Sequence, residues 1–168
     1  MLSIGMVTTV VGEIHYATDE TGVRAISAPG VLLEDWLRST GRSGLRIDQA
    51  VQDETDLLGV RAQLKEYMSG ERQKFSLPLS YSGTPFQLRV WKALLEIPYG
   101  ELRSYADIAR EIGSPRAARA VGQANNRNPL AIVIPCHRVV ASNSGLGGYA
   151  GGLASKEFLL QLEQRWCG

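Results

Sequence analysis

Between Thr84 and Asn126 the sequence marks three helix boundaries in succession, and no other feature limits the fold of the chain as strongly. Thr84 precedes Pro85, and Gln87 stands three residues beyond the threonine. This is a capping box with proline at the first helical position, where an N–H would have no partner anyway. Phe86, Val90, Trp91, Leu94 and Leu95 then recur at helical spacing, and Pro98 ends the segment just beyond Ile97. Ser104 and Asp107 repeat the cap signature for a short helix over 105–112, closed by Gly113. Ser114 and Pro115 open a third helix that runs from Arg116 to Ala124 and ends in Asn125-Asn126. Two short helices joined through one glycine, the second rich in Ala and Gly, have the proportions of a helix-turn-helix. An alanine-rich pair packed tightly on its neighbours fits the same pattern.

Before Thr84 the signals are mixed. Extended segments are expected over 6–17 and 23–28, joined as a hairpin through Asp19-Glu20-Thr21-Gly22. Strand character fades beyond Gly41 and Gly44, and a helix is expected over 55–68, where Leu57, Leu58, Val60, Leu64 and Met68 share a stripe that Gly70 stops. Alternation of Phe75, Leu77 and Leu79 suggests a further strand before Tyr81-Ser82-Gly83. A boundary there gives an α+β fold: a small strand-and-helix domain over 1–80, then a mostly helical domain over 84–168 carrying the helix-turn-helix. At 168 residues, 44% apolar and 21% charged, the chain can bury a core. The N-terminus lacks a basic flank and a cleavage site, so no signal peptide is expected. A cytoplasmic location follows, or a nuclear one in a nucleated cell.

The third helix leads through Arg127-Asn128-Pro129 into the apolar run Leu130-Ala131-Ile132-Val133-Ile134 and then Pro135-Cys136-His137-Arg138. A thiol attacks as thiolate and needs a base or cation nearby, which His137 can supply, although a buried cysteine is as readily a small core residue. Side chains of adjacent residues diverge, so the two would communicate through a bridging water. Glu157 and Glu163, on an expected last helix that Ser155 caps and whose stripe holds Phe158, Leu159, Leu162 and Trp166, are the candidates for orienting the imidazole. Cys167 reads as an exposed tail thiol. Charge is uneven: residues 1–83 hold eight Lys/Arg against eleven Asp/Glu, and residues 84–140 hold eight against four. A basic surface around the thiol suits a nucleic acid or is simply a solvated face. The stretch from Ser144 to Gly152 contains a formal dinucleotide-binding match but opens no helix after a strand, so it is read as a mobile loop walling a pocket. His15, Cys136, His137 and Cys167 have no metal-site spacing.

Arg116-Ala117-Ala118-Arg119-Ala120-Val121-Gly122, Asn128-Pro129 and Ile134-Pro135-Cys136-His137-Arg138-Val139-Val140, in this order, closely resemble the O6-alkylguanine-DNA alkyltransferases. Supporting matches are Pro85-Phe86-Gln87, Trp91, Pro98-Tyr99-Gly100, Ser104-Tyr105, Gly148-Tyr149, Gly151-Gly152-Leu153 and Lys156-Glu157. The likeness covers residues 84–163; the first 80 residues match in length and outline alone. It implies direct-reversal repair, in which the protein binds double-stranded DNA, flips out O6-alkylguanine and moves the alkyl group irreversibly onto Cys136, with O4-alkylthymine a weaker substrate. His137 would be the water-mediated base, Glu163 its orienting carboxylate, and Asn128 the residue holding the turn. Ser104, Tyr105, Arg116, Ala118, Arg119 and Gln123 would meet DNA, with Arg119 entering the stack and Tyr105 rotating the nucleotide. Tyr105, Asn125, Val139, Tyr149 and Ala150 would line the pocket, where the carbonyls of Cys136 and Val139 read the exocyclic amine and the Ala150 amide approaches the alkylated oxygen.

The resemblance implies no cofactor, no metal and no membrane partner, and a monomer when free; assembly on DNA stays open. Ala150 stands where some members have serine, and Asn125 and Ala131 stand where the best-known members have bulkier or stiffer residues. The zinc-ligand set of some members has no counterpart, whereas the cysteine distinguishes the chain from alkyltransferase-like sensors with tryptophan there. Two rivals remain: a DNA-binding regulator with a structural cysteine, and a thiol hydrolase using Cys136, His137 and Glu163. The helix-turn-helix beside the thiol disfavours the hydrolase.

Overall fold

The computed structural model describes residues 1–168 except Ser43, Asn143, Ser144 and Gly168. Its first part is a sheet of β1 (Ser3–Thr9), β2 (Gly12–Asp19), β3 (Gly22–Ile26) and β4 (Val51–Gln52), in the order β3-β2-β1-β4. The hairpin through Asp19–Gly22 forms as expected; Asp19 Oδ1 accepts from Thr21 N at 2.8 Å. Gly22 is needed at its end, because its φ is +134° and a Cβ there would lie 2.4 Å from the Pro78 carbonyl oxygen. The single extended segment expected over 6–17 is instead two antiparallel strands, β1 and β2, turning at Thr9–Gly12. Val10 and Val11 hid that turn by reading as strand. α1 (Leu33–Ser39) and β4 went unanticipated, the latter a two-residue strand parallel to β1.

α2 spans Val60–Met68 rather than starting at residue 55. Asp56, five and six residues ahead, accepts from Arg61 N and Ala62 N at 2.8 and 2.9 Å and so does the capping from outside the helix. The strand expected over 75–79 reduces to one bridge, Val23 to Leu79.

In the second part the local signals hold where both cap partners are present. α3 (Pro85–Leu95) and α4 (Tyr105–Glu111) each carry a complete capping box, Thr84 with Gln87 and Ser104 with Asp107. α5 (Ala118–Asn126) starts later than expected, and Ser114 does not cap it; the Ser114 carbonyl accepts from Ala117 N in a separate turn at 2.9 Å. Trp91 of α3 donates its indole N–H to Ala124 O of α5 at 2.9 Å, tying the helix-turn-helix to the core. A two-stranded parallel pair, β5 (Arg103–Ser104) with β6 (Val139–Val140), links the start of α4 to the thiol segment. α6 (Leu153–Trp166) begins before Ser155, whose hydroxyl reaches Pro29 O at 3.3 Å instead of capping. Leu159 and Leu162 are buried as expected, but Trp166 is 46% exposed.

One apolar core runs through both parts, with Val7, Ile14, Trp36, Leu64 and Tyr67 of the first against Trp91, Leu94, Ile134 and Leu159 of the second. The backbone crosses too: Ile26 N donates to Pro129 O and Ala131 N to Ile26 O, both at 2.9 Å. Trp36 adds its indole N–H to the Pro129 carbonyl at 3.0 Å. The segment carrying the thiol is therefore held from the N-terminal side as well as by its own helices.

Candidate active site

Cys136 opens a single 3-10 turn, Cys136–Arg138, after the buried run 130–134. That run is a tight coil rather than a strand, and Asn128 holds it from within. Asn128 Oδ1 accepts from Leu130 N at 2.9 Å, while its Nδ2 donates to Ile134 O at 2.8 Å and to Leu130 O at 3.3 Å. Fully paired in a buried site, such an amide contributes about 1 kcal/mol per bond and costs more if removed, because it leaves backbone groups orphaned. Ile132 sits at φ +71°, a region that β-branched residues avoid, with Val133 N closing back on Ala131 O at 2.8 Å. The Asn128 bonds and the β3 edge over-determine that conformation.

Cys136 is 3% exposed and His137 fully buried. His137 Nε2 lies 2.6 Å from Glu163 Oε2, and Nδ1 has no hydrogen-bond partner among the described residues. Of the two candidate carboxylates, Glu163 is the one that meets the imidazole; Glu157 is exposed and is met by Gln161. The Glu163 carboxylate accepts five hydrogen bonds. Arg138 Nε and Gly100 N reach Oε1 at 2.8 and 3.1 Å, and Tyr67 Oη, His137 Nε2 and Arg138 Nη2 reach Oε2 at 2.6, 2.6 and 3.0 Å. Burial alone would raise this carboxyl, but the hydrogen bond from His137 and the hydrogen bonds and charge of Arg138 hold it well below the usual carboxylate range. Burial pushes His137 the other way, below an ordinary imidazole, against the pull of Glu163. The consistent protonation state is an ionised Glu163 neutralised by Arg138 and a neutral His137 with its proton on Nε2. The Nδ1 lone pair is left able to accept a proton.

Burial also raises the Cys136 thiol, opposed by a hydrogen bond from Asn128, the charge of Lys156 and the N–H groups of Cys136 and His137. The resting thiol is protonated and needs a base. Lys156 is fully buried, and its ammonium donates to Val139 O at 2.6 Å, to Gly148 O at 3.2 Å and to Leu146 O. Desolvation brings it down to about 8.

The glycine-rich stretch is tied to the thiol segment by Lys156, whose ammonium takes the Leu146 and Gly148 carbonyls together with that of Val139; Ser144, its expected first residue, is outside the described residues. Tyr105, at the start of α4, places its ring 3.8 Å from where a Gly122 side chain would begin, and a Cβ on Gly147 would meet its hydroxyl at 2.8 Å. Its hydroxyl donates to Gly148 O at 3.4 Å. Tyr149 is buried, which holds its phenol well above its ordinary value, and its hydroxyl has no partner among the described residues, whereas Ala150 is exposed. Asn125 Nδ2 donates to Cys136 O at 3.2 Å, leaving its buried Oδ1 unpartnered. The Cys136 carbonyl thus accepts from both Asn125 Nδ2 and Val139 N, and the Val139 carbonyl accepts from Lys156. Among the described residues four buried side-chain polar atoms have no partner, on Tyr99, Asn125, His137 and Tyr149, and two of these residues bear directly on the thiol turn: His137 follows Cys136 and Asn125 holds its carbonyl.

Arg116, Arg119 and Gln123 are exposed on the helix-turn-helix, and Ala118 and Ser104 are partly exposed. Cys167 is half-buried against Gly100 rather than exposed. Among the described residues no group of three or more His, Cys, Asp or Glu could hold a metal, and no helix is long and apolar enough to cross a membrane.

Sequence reasoning gave no role to Tyr67, Arg138 or Lys156. Arg138 was in view beside His137, and Tyr67 falls three residues after Leu64 on the α2 stripe, where its hydroxyl asked for a buried partner. A lysine one turn into a helix gives no signal of burial.

Residues 85–165 match the family described as 6-O-methylguanine DNA methyltransferase, DNA binding domain. The constitutive methylated-DNA--protein-cysteine methyltransferase of Bacillus subtilis is 48% identical over 158 residues, covering 93% of this chain and 92% of that protein. The crystal structure of Mycobacterium tuberculosis OGT in complex with DNA superposes with a TM-score of 0.83 at 40% identity, covering 98% of this chain and 94% of that one. The O6-methylguanine-DNA methyltransferase of Pyrococcus kodakaraensis does so with a TM-score of 0.74 at 28% identity, covering 97% and 99%. With likeness of this extent along both halves, a buried thiol and its imidazole in matching sequence, the chain belongs to the methylated-DNA--protein-cysteine methyltransferase family.

Proposed function

We propose that this protein repairs O6-alkylguanine in double-stranded DNA by moving the alkyl group onto Cys136 Sγ, once per molecule. The observation that carries the reading is the neutral His137, pinned through Nε2 by Glu163 with Nδ1 unpartnered, on the residue next to a buried, protonated thiol. Nδ1 takes the thiol proton through a bridging water. The thiolate then attacks the sp3 carbon on O6; the C–S bond forms as the C–O6 bond breaks, and the electron pair leaves on the guanine, which is protonated to the normal base. The product is a thioether that water does not cleave, so the protein is spent.

The base must leave the duplex to reach this thiol. Arg119 fills the vacated stack, Tyr105 turns the nucleotide and hydrogen-bonds the guanine, and Ser104, Arg116, Ala118 and Gln123 meet the backbone around it. The Cys136 and Val139 carbonyls, with Asn125 Oδ1 and Tyr149 Oη, read the exocyclic amine and ring, while Ala150 N faces the alkylated oxygen. With the thiol 3% exposed, the glycine-rich wall moves to admit the base. O4-alkylthymine offers the same reacting carbon on a smaller ring and is the weaker substrate. Residues 84–168 form the DNA-binding and catalytic domain, braced by residues 1–80; the protein is a monomer when free.

Cys136→Ser tests this. A serine keeps the shape but gives no readily formed anion, so transfer should vanish while duplex affinity stays within about threefold. A Cys136→Ser protein that still removes alkyl groups would refute the assignment of the nucleophile.

A further inference from the structure

We infer that Tyr67, on α2 in the N-terminal half, is a positioning residue of the proton relay, donating its hydroxyl to the same Glu163 oxygen that His137 uses and so dividing that oxygen's charge. The inference rests on the reading above and adds to it an N-terminal group that sets how strongly His137 attracts the thiol proton.

The geometry is close and dry. Tyr67 Oη reaches Glu163 Oε2 at 2.6 Å and stands 3.4 Å from His137 Nε2, and both tyrosine and carboxylate are buried. Tyr67 cannot supply the relay's proton itself, since burial and the adjacent carboxylate hold its phenol well above its ordinary value. It therefore acts as a permanent donor. Glu163 is already oriented by the Arg138 guanidinium and the Gly100 N–H, so Tyr67 is not needed to aim the carboxylate. What it changes is the oxygen's electron density: two short donors share Oε2, and each weakens the other's hold. Removing the hydroxyl gives Oε2 more fully to His137 Nε2–H, which raises the imidazole's proton affinity. The other charged or titratable groups facing this cluster are Arg138 and Tyr99 at Glu163 and Lys156 and Cys136 at His137, and none of these is altered by a change at position 67.

The ring of Tyr67 packs at 5.4 Å from Phe75 and 6.1 Å from Tyr99, contacts that phenylalanine retains. The experiment is the pH–rate profile of Cys136 benzylation by free O6-benzylguanine, for wild type and Tyr67→Phe, with thermal unfolding as a control on folding. Tyr67→Phe should move the acid limb about half a unit to higher pH, about threefold slower on that limb, with the plateau little changed. A ring-fluorinated tyrosine placed at position 67, a stronger donor that keeps the contact, should move the limb to lower pH. It serves as the test if the phenylalanine variant does not fold. Superimposable profiles, or a lowered plateau with an unmoved limb, would overturn the inference, the latter leaving Tyr67 as packing alone. Failure of wild type to become benzylated would count instead against the function proposed above.

Discussion

Glu163→Gln is the perturbation from which the site predicts most. The carboxylate accepts from five donors and gives nothing back, so a glutamine of the same shape must point its NH2 at donors whichever way it turns. Turned toward Oε1, it opposes Arg138 Nε and Gly100 N. Turned toward Oε2, it opposes Tyr67 and His137, and His137 relieves the clash by shifting its proton to Nδ1, which destroys the base. Arg138, 8% exposed on its side chain, meanwhile loses its counter-charge. Breaking a buried ion pair from one side costs about 3–5 kcal/mol. At about 2–4 °C per kcal/mol for a chain of this size, the melting temperature should fall by roughly 10 °C. Loss of the base should slow single-turnover alkylation by O6-benzylguanine roughly 100-fold at neutral pH. Replacing the pair together, Glu163→Met with Arg138→Met, removes both charges and should recover part of the stability but none of the rate. A Glu163→Gln protein that reacts within about twofold of wild type would refute the relay, and one that melts at the wild-type temperature would refute the buried pair.

Arg119→Ala should slow repair of duplex DNA by roughly tenfold or more while leaving reaction with free O6-benzylguanine within about twofold, because the exposed arginine acts on the stack and not on the thiol; equal losses on both substrates would count against it. Stability should also depend on pH through His137. Its folded-state affinity for protons is depressed by burial, so its contribution is complete above the unfolded value near 6.5 and is lost as pH falls toward the folded value, at up to about 1.4 kcal/mol per unit. Urea midpoints between pH 7 and 5 check this, and His137→Gln should flatten the slope; an unchanged slope would mean that His137 is already charged in the folded protein.

How far such residues can be read from sequence depends on how local their causes are. The capping boxes of α3 and α4 are complete within four residues, and both helices start where the sequence places them. Ser114 and Ser155 carry half of that signal, and each hydrogen-bonds elsewhere, to Ala117 N through its carbonyl and to Pro29 O through its hydroxyl. Asp56 caps α2 across a glycine at φ +77°, a geometry no fixed spacing anticipates. β4 exists only because β1, some fifty residues earlier, offers it an edge. In the site, Cys136, His137 and Asn128 share one short motif, and Glu163 could be narrowed to one of two helix carboxylates. Tyr67 and Lys156 became visible only in three dimensions, since burial of a hydroxyl or an ammonium depends on which distant carbonyl or carboxylate the fold brings to it.

The central claim is that Cys136 is consumed, and intact mass tests it most directly. Incubated with an excess of duplex carrying O6-methylguanine, without added metal or cofactor, the protein should gain one methyl group per chain. The group should lie on the peptide containing Cys136 and not on Cys167, with repair stopping when the protein is used up. Repair of many lesions per chain with Cys136 unmodified, or stable binding to the methylated duplex with no change in mass, would contradict the account.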